Sequence, residues 1–328
     1  MANANRPVQK RIDPSTVPAP KGRGGRPGGQ PPRVVVKKAS FGDWIGGARL
    51  RTLPVAIAPV ALGTASAYLI SHPGWHWVRA LLALAVAVGL QIGVNYANDY
   101  SDGVRGTDRY RVGPSRLTGS GAAKPRTVLV VALVFFGLGA VAGLILAILT
   151  GYYWLIAVGA VCIVAAYFYT GGKRPYGYYG LGEVFVFVFF GLVATVGTTF
   201  TQVGTINLES WMSGVAAGFL ACAVLMVNNL RDLEQDRLAK KRTLAVLVGS
   251  VVGRILYAIF VAIPYLILGL FSIFYDKAPF VYFTLLPAIP AVVITITAKT
   301  GPELVLALKL TTLTVFLFGV GLAAAIAF

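Results

Sequence analysis

Residues 95–108 read Asn95-Tyr-Ala-Asn98-Asp99-Tyr-Ser-Asp102-Gly-Val-Arg105-Gly-Thr-Asp108 and close an apolar run that begins near residue 80. Carboxylates and amides gather where a lipid-compatible helix would reach water. Asn95, Asn98, Asp99 and Asp102 stand at i, i+3, i+4 and i+7, so on a helix they share one broad face. Asp108 follows a glycine-containing break. A second ending of the same kind lies at 228–243, where Asn228, Asp232 and Asp236 keep helical spacing among Arg231, Arg237, Lys240, Lys241 and Arg242.

Carboxylates this close repel one another, and a hard divalent cation relieves the repulsion. The expected tenant is Mg²⁺ bridging to phosphate, with Asp99, Asp102, Asp232 and Asp236 as ligands and Asp108 as a further acid. The plainer alternative is a pair of solvated helix ends. Against it, the chain has 12 Asp plus Glu beside 29 Lys plus Arg, and Asp99, Asp102, Asp108, Asp232, Glu234 and Asp236 supply half of those acids. Acids at the edge of a membrane are costly, and they are functional by default.

Of 328 residues 56% are hydrophobic and 12% charged, whereas a soluble domain carries about a quarter charged residues. The composition indicates an all-α, polytopic membrane protein. The net charge of +17 does not point to nucleic acid, because the basic residues sit in an N-terminal tail and in interhelical loops and form no soluble face. Membrane lipid headgroups and an anionic substrate are the expected partners. Cys162 and Cys222 lie in separate apolar runs and are read as packing residues, with no disulfide framework or thiol metal site. His72 and His76, beside Trp75 and Trp77, read as an interfacial belt.

Residues 1–38 are rich in Pro, Gly, Lys and Arg and cannot bury a core, so they are expected to form a disordered, lipid-attracted tail. They lack the apolar core of a secretory signal and are not read as a cleaved presequence. The membrane domain is expected over 39–328. After an interfacial segment at 40–51, nine apolar stretches approach bilayer length: 53–71, 80–97, 127–149, 153–170, 182–202, 211–229, 255–275, 279–298 and 310–328. About 20 residues suffice to cross. Residues 244–253 are expected to add a helical turn or two before the seventh stretch.

With the N-terminus cytoplasmic, the inside loops collect Arg105, Arg109, Arg111, Arg116, Lys124, Arg126, Lys173, Arg174, the cations of 231–242, Arg254, Lys299 and Lys309, while the outside loops keep little beyond Arg79 and Lys277. The positive-inside rule then fixes the orientation. Both acidic clusters fall on the cytoplasmic side of the cell membrane, where they can face each other.

A diphosphate carries about three negative charges near neutral pH, so its site needs a carboxylate-held Mg²⁺ together with Lys and Arg donors. Arg105, Arg109, Arg116, Lys241 and Arg242 lie within reach of the acids along the chain. Neutralising an allylic diphosphate lets its carbon–oxygen bond ionise to a carbocation. The hydrocarbon tail then needs an apolar exit, which a lipid-embedded helix bundle supplies.

At these residues the chain resembles a known family. Asn98-Asp99-Tyr-Ser-Asp102 with Asp108, and Asp232-Leu-Glu-Gln-Asp236, are similar to the paired acid motifs of the UbiA superfamily of intramembrane aromatic prenyltransferases. Arg51-Thr-Leu-Pro, Tyr169-Thr-Gly-Gly, Gly180-Leu-Gly-Glu183 and Lys241-Arg-Thr-Leu-Ala resemble, more narrowly, the branch that prenylates 1,4-dihydroxy-2-naphthoate in menaquinone synthesis. The resemblance covers roughly 40–328. Lys240 departs from it, standing where that branch usually has glycine, which removes backbone freedom.

What the resemblance implies is a bundle of nine transmembrane helices around a central cavity, with both motifs holding Mg²⁺ and a polyprenyl diphosphate. It further implies prenylation of 1,4-dihydroxy-2-naphthoate at the carboxylate-bearing carbon, with loss of CO₂, to give demethylmenaquinone. Asn95, Asn98, Asn228, Arg105, Arg116, Lys241 and Arg242 become candidates for substrate binding. Arg51, Tyr169, Lys173 and Glu183 become candidates for holding the naphthoate or steering its protons. Rivals are the same chemistry on 4-hydroxybenzoate, homogentisate or a phosphorylated sugar, and a transporter, although transporter acids sit near the midplane.

The one-sided loops make a direct prediction. Cysteines introduced near positions 115 and 238 should both react only with reagents that reach the cytoplasmic face, and one near 206 only from the opposite face. Labelling of 115 and 238 from opposite sides would contradict a shared site.

Overall fold

The computed structural model describes residues 38–71, 76–107 and 116–328. Asp108, Arg109, Arg111, His72, Trp75 and the basic stretch 1–37 therefore lie outside the described residues. Within them the secondary structure is helical, and the nearest approach to a strand is a single bridge between Tyr179 and Arg242.

The chain enters through α1 (Phe41–Ala48), the interfacial segment. Ser40 and Asp43 close a capping box at its start: Asp43 N–H donates to Ser40 Oγ at 3.3 Å and Ser40 N–H to Asp43 Oδ2 at 2.7 Å. This satisfies two otherwise orphaned donors and makes Asp43 a structural acid. Arg49 ends the helix at φ 52°, and the chain bends by 47° into α2 (Pro54–Ile70).

Then follow α3 (Trp77–Arg105), α4 (Pro125–Thr150), α5 (Trp154–Phe168), α6 (Gly182–Val203), α7 (Leu208–Arg231), the short α8 (Leu233–Leu238), α9 (Leu244–Phe274), α10 (Ala278–Thr297) and α11 (Gly301–Ala327). All nine expected stretches fall on α2–α7 and α9–α11. Among the described residues seven helices are long and apolar enough to cross a membrane, or eight if the bent pair Phe41–Thr52 and Pro54–Ile70 is one span. The fourth stretch, α5, is shorter than a usual span at 15 residues. The extra turns at 244–248 belong to α9 and end at Gly249, whose φ of 82° and ψ of 168° break the helix.

Among the described residues two larger cores, with a small third around Val60, Ala83 and Leu146, organise the bundle. One joins α2, α7, α9, α10 and α11 around Leu62, Leu220, Met226, Tyr257, Leu268 and Phe318, all at most 1% exposed. The other packs α1, α3 and α4 around Tyr96, Val128 and Phe136. Outward faces carry large exposed apolar side chains such as Leu138, Val161, Leu266 and Leu286, as expected of helices whose solvent is lipid.

Arginines tie the helix ends, where carbonyls have no intrahelical donor. Arg79 donates to Gln202 O at 2.9 Å and Leu149 O at 3.0 Å. Arg254 donates to Thr295, Ile296 and Ala298 carbonyls at 2.6–2.9 Å. Arg105 reaches the carbonyls of Thr170 and Gly172 beyond α5. The ends of α3 and α5 therefore meet at one end of the bundle.

Residues 187–193 within α6 form a π-helical turn. Its Gly191 lies so close to α7 that an added Cβ would stand 2.6 Å from Gly218 Cα. Small residues permit such approach in membrane bundles. At Gly63 of α2 an added Cβ would stand 2.3 Å from Thr195 O of α6, whereas at Gly137 it would meet nothing within 4 Å. Gly63→Ala should cost about 1–3 kcal/mol, the usual penalty of overpacking, and lower the thermal midpoint in detergent, while Gly137→Ala should keep or raise it, since mid-helix alanine is favoured over glycine. Equal midpoints for the two variants would contradict this packing.

Candidate active site

Gly106, at φ 74°, accepts the left-handed turn that ends α3, its N–H closing on the Asp102 and Gly103 carbonyls. The chain thus leaves the helix within one turn of Asp102. A cavity of about 340 Å³ opens at this level. Its polar end is lined by Asn95, Asn98, Asp102, Arg116, Asn228, Asn229, Asp232 and Lys241. Its remaining wall is mostly apolar, with Leu90, Leu146, Val158, Phe189 and Phe190 beside a few polar side chains such as Gln91, Thr198 and Thr201, and runs along α3 back to Ala83. Nineteen residues of helix at 1.5 Å each give that wall a length of about 28 Å.

Asp102 and Asp232 come from clusters 130 positions apart and line this one cavity. Each is held by an arginine. Arg116 donates to Asp102 Oδ2 at 2.8 Å, and Arg231 makes a two-pronged contact with Asp232 at 2.7 and 2.6 Å. A carboxylate buried in a helix bundle without such a partner would be strongly destabilising. Asp236, 8% exposed, has Lys241 Nζ at 3.9 Å. Among the described residues no group of three or more His, Cys, Asp or Glu forms a metal cage.

Tyr178 joins the two halves. Its hydroxyl donates to Asp102 Oδ1 at 2.6 Å, while the Arg105 guanidinium and the Lys241 ammonium each stand 5.2 Å from its ring centroid. Burial, and then the neighbouring Asp102 charge, push the phenol above the ordinary tyrosine range, so it remains a donor at neutral pH. Its carbonyl accepts the Arg242 N–H at 3.1 Å. Lys240 takes φ 56° and turns the chain so that Lys241 faces back to the cavity. A lysine in this region carries strain of roughly 1–2 kcal/mol that glycine avoids.

Other residues singled out by the sequence are placed as follows. Asn95 Nδ2 donates to Ala48 O at 2.9 Å, anchoring α1. Asn98 Oδ1 accepts from Thr170 Oγ1 at 2.6 Å. Asp99 is buried but does not line the cavity; its two oxygens accept from the Leu117 and Thr118 backbones at 2.9 and 2.8 Å. Tyr169 lines the cavity. Glu183 is 4% exposed, its Oε1 accepting from Asn229 Nδ2 at 3.1 Å and its Oε2 having no hydrogen-bond partner among the described residues. Arg51, Lys173 and Arg242 are exposed and outside the cavity lining. Cys162 lines it, and the buried Cys222 donates to Glu183 O at 3.2 Å.

Tyr178, Asn229 and Arg49, all at or beside the cavity, were not singled out from the sequence. Asn229 had a signal as the second residue of an Asn–Asn pair. Arg49 stands two positions before the expected Arg51, because the left-handed turn at 49 redirects the chain there. Tyr178 had none, since a tyrosine in a loop is ordinary.

The chain is 58% identical over 219 residues to a 1,4-dihydroxy-2-naphthoate octaprenyltransferase of Mycobacterium tuberculosis, covering 67% of this chain and 74% of that protein. In fold it is similar to a UbiA homologue from Aeropyrum pernix (TM-score 0.63, 15% identity, 83% of this chain and 97% of that one). It is also similar to a UbiA homologue from Archaeoglobus fulgidus bound to GPP and Mg²⁺ (TM-score 0.58, 15% identity, 87% and 99%). The model of the UbiA prenyltransferase family matches residues 56–303, a span that holds both acid clusters and most of the cavity wall, and the chain belongs to that family.

Proposed function

We propose that the protein transfers a polyprenyl chain from polyprenyl diphosphate to 1,4-dihydroxy-2-naphthoate, with loss of CO₂, in menaquinone synthesis. The observation that carries this reading is the shared cavity: Asp102 and Asp232 line its polar end, and the rest of its wall is mostly apolar. The diphosphate belongs at the first and the prenyl chain along the second. The acceptor follows the name of the Mycobacterium tuberculosis relative. Residues 39–328 carry the activity, and the charge of 1–38 suits contact with anionic lipid. The loop charges orient the polar end to the cytoplasm.

The donor set fits Mg²⁺. This ion takes one or two protein carboxylates and completes its shell with phosphate oxygens and water, so the lack of a three-carboxylate cage among the described residues is no obstacle. Asp102 and Asp232 would hold it, with Asp236 one turn beyond Asp232. When bound, it neutralises the leaving diphosphate.

The remaining chemistry falls to the chain's own side chains. Arg116 and Lys241, both lining the cavity, bind diphosphate oxygens through charge-assisted hydrogen bonds. The allylic C–O bond breaks with its electron pair leaving on the diphosphate, and the prenyl carbon bonds to the naphthoate carbon that bears the carboxylate. The C–CO₂ bond then breaks and its pair restores the aromatic ring, giving the hydroquinone of demethylmenaquinone, CO₂ and diphosphate. The apolar wall keeps water from the carbocation. Tyr169 and Asn229, with Glu183 behind Asn229, orient the acceptor's hydroxyl groups.

Two outcomes test this reading. Asp102→Asn and Asp232→Asn should each lower kcat/KM by about 100-fold or more, a usual loss when transition-state charge is left unbalanced, and EDTA should abolish turnover until Mg²⁺ is restored. Full activity in the chelated enzyme would contradict the metal assignment. Carboxyl-labelled 1,4-dihydroxy-2-naphthoate should release labelled CO₂ in step with prenylation, while 4-hydroxybenzoate should be a poor substrate. Prenylation of 4-hydroxybenzoate with its carboxylate kept, and no turnover of the naphthoate, would reject this acceptor.

A further inference from the structure

Asp99 follows Asn98 directly, yet the two side chains do different work. Successive residues on a helix are about 100° apart, so when Asn98 and Asp102 face the cavity, Asp99 faces the flank of α3. There it meets the turn at 116–120. Its Oδ2 accepts the Leu117 N–H at 2.9 Å and its Oδ1 the Thr118 N–H at 2.8 Å. The carboxylate is 3% exposed and absent from the cavity wall. An acid that accepts two consecutive backbone donors fixes both the position and the orientation of that peptide.

The same turn is seated by packing. Leu117, 3% exposed, joins the core of Ala48, Tyr96 and Val128. Thr118 lies against Gly103, where an added Cβ would stand 2.4 Å from its Cγ2. The residue that this seating presents is Arg116, whose Nη1 donates to Asn98 O at 2.9 Å and to Asp102 Oδ2 at 2.8 Å.

We propose that Asp99 is a positioning residue and not a metal ligand: its carboxylate seats the 116–118 turn so that Arg116 is held at the polar end of the cavity to bind the diphosphate. The proposal rests on the prenyl diphosphate reading given above. Asparagine at 99 is isosteric but presents only one oxygen, and its NH₂ group would face the second backbone N–H.

The test uses the full-length protein in detergent and compares wild type, Asp99→Asn, Arg116→Gln, the double variant and Gly103→Ala. Amide exchange at Leu117 and Thr118 should accelerate by about tenfold or more in Asp99→Asn while the rest of α3 stays protected, as for local opening. With prenyl diphosphate varied, KM should rise by about tenfold in Asp99→Asn and in Arg116→Gln with kcat little changed, the signature of lost ground-state binding. The double variant should be no worse than Arg116→Gln alone, because both changes remove one interaction. The Mg²⁺ concentration for half-maximal rate at saturating prenyl diphosphate should stay unchanged.

Gly103→Ala, which leaves the Asp99 carboxylate in place but pushes Thr118 away, should reproduce the exchange and KM changes, and it carries the test if Asp99→Asn does not fold. Unchanged exchange at 117 and 118 in Asp99→Asn, additive KM effects, or a Mg²⁺ requirement raised about tenfold would each overturn the proposal. The exchange measurement needs no substrate, so it judges the seating of the turn even if wild-type protein fails to use a prenyl diphosphate, an outcome that would reject the functional reading instead.

Discussion

Carboxylates at the end of a lipid-facing helix bundle require cations or hydrogen-bond donors beside them, because burying one ion alone costs more than a small membrane domain can supply. Here Arg116 serves Asp102 and Arg231 serves Asp232. The rest of the polar end follows from these pairs. Arg116 must be carried by a turn locked to α3, which Asp99 and Gly103 accomplish. Tyr178 brings its hydroxyl to Asp102 and its ring within reach of both Arg105 and Lys241, which links the α5–α6 connection to residues of both acid clusters.

The apolar part of the cavity depends on backbone proximity. Gly63 lets α2 approach α6, and Gly191 lets the π-turn of α6 approach α7. The π-turn adds a residue to one helical turn, and Phe189, Phe190 and Val193 from this region line the cavity. On the proposed reading a prenyl chain would meet a mostly apolar wall, while its diphosphate would meet the charged groups at the polar end. That separation of environments is what ionisation of an allylic diphosphate followed by capture on carbon needs.

Much of this was legible in the sequence for physical reasons. Apolar runs near bilayer length must be helices, because lipid leaves no partner for an unpaired backbone group, and all nine stretches are helical. On the nine-span reading both clusters end even-numbered spans and were expected to share a membrane face, and Asp102 and Asp232 do line one cavity. The facing of individual side chains was not legible in this way. A four-residue stripe is about 100° wide, and spacing alone could not show that Asp99 leaves the cavity while its neighbour Asn98 stays. The left-handed turn at Arg49, the π-turn and the packing of Tyr178 arise from tertiary contacts that local pattern does not encode. Lys240 was visible as a departure, and its φ of 56° shows the conformation for which glycine is the easier residue.

The central claim is that one site is built from both acid clusters. Its most direct test is Mn²⁺ binding, followed by electron paramagnetic resonance, to full-length protein holding a non-reactive prenyl thiodiphosphate. If Asp102 and Asp232 hold the ion together, wild-type protein should bind it, and Asp102→Asn and Asp232→Asn should each weaken binding by about tenfold or more, as expected for loss of a charged ligand. Undiminished Mn²⁺ affinity in either variant would contradict the shared site.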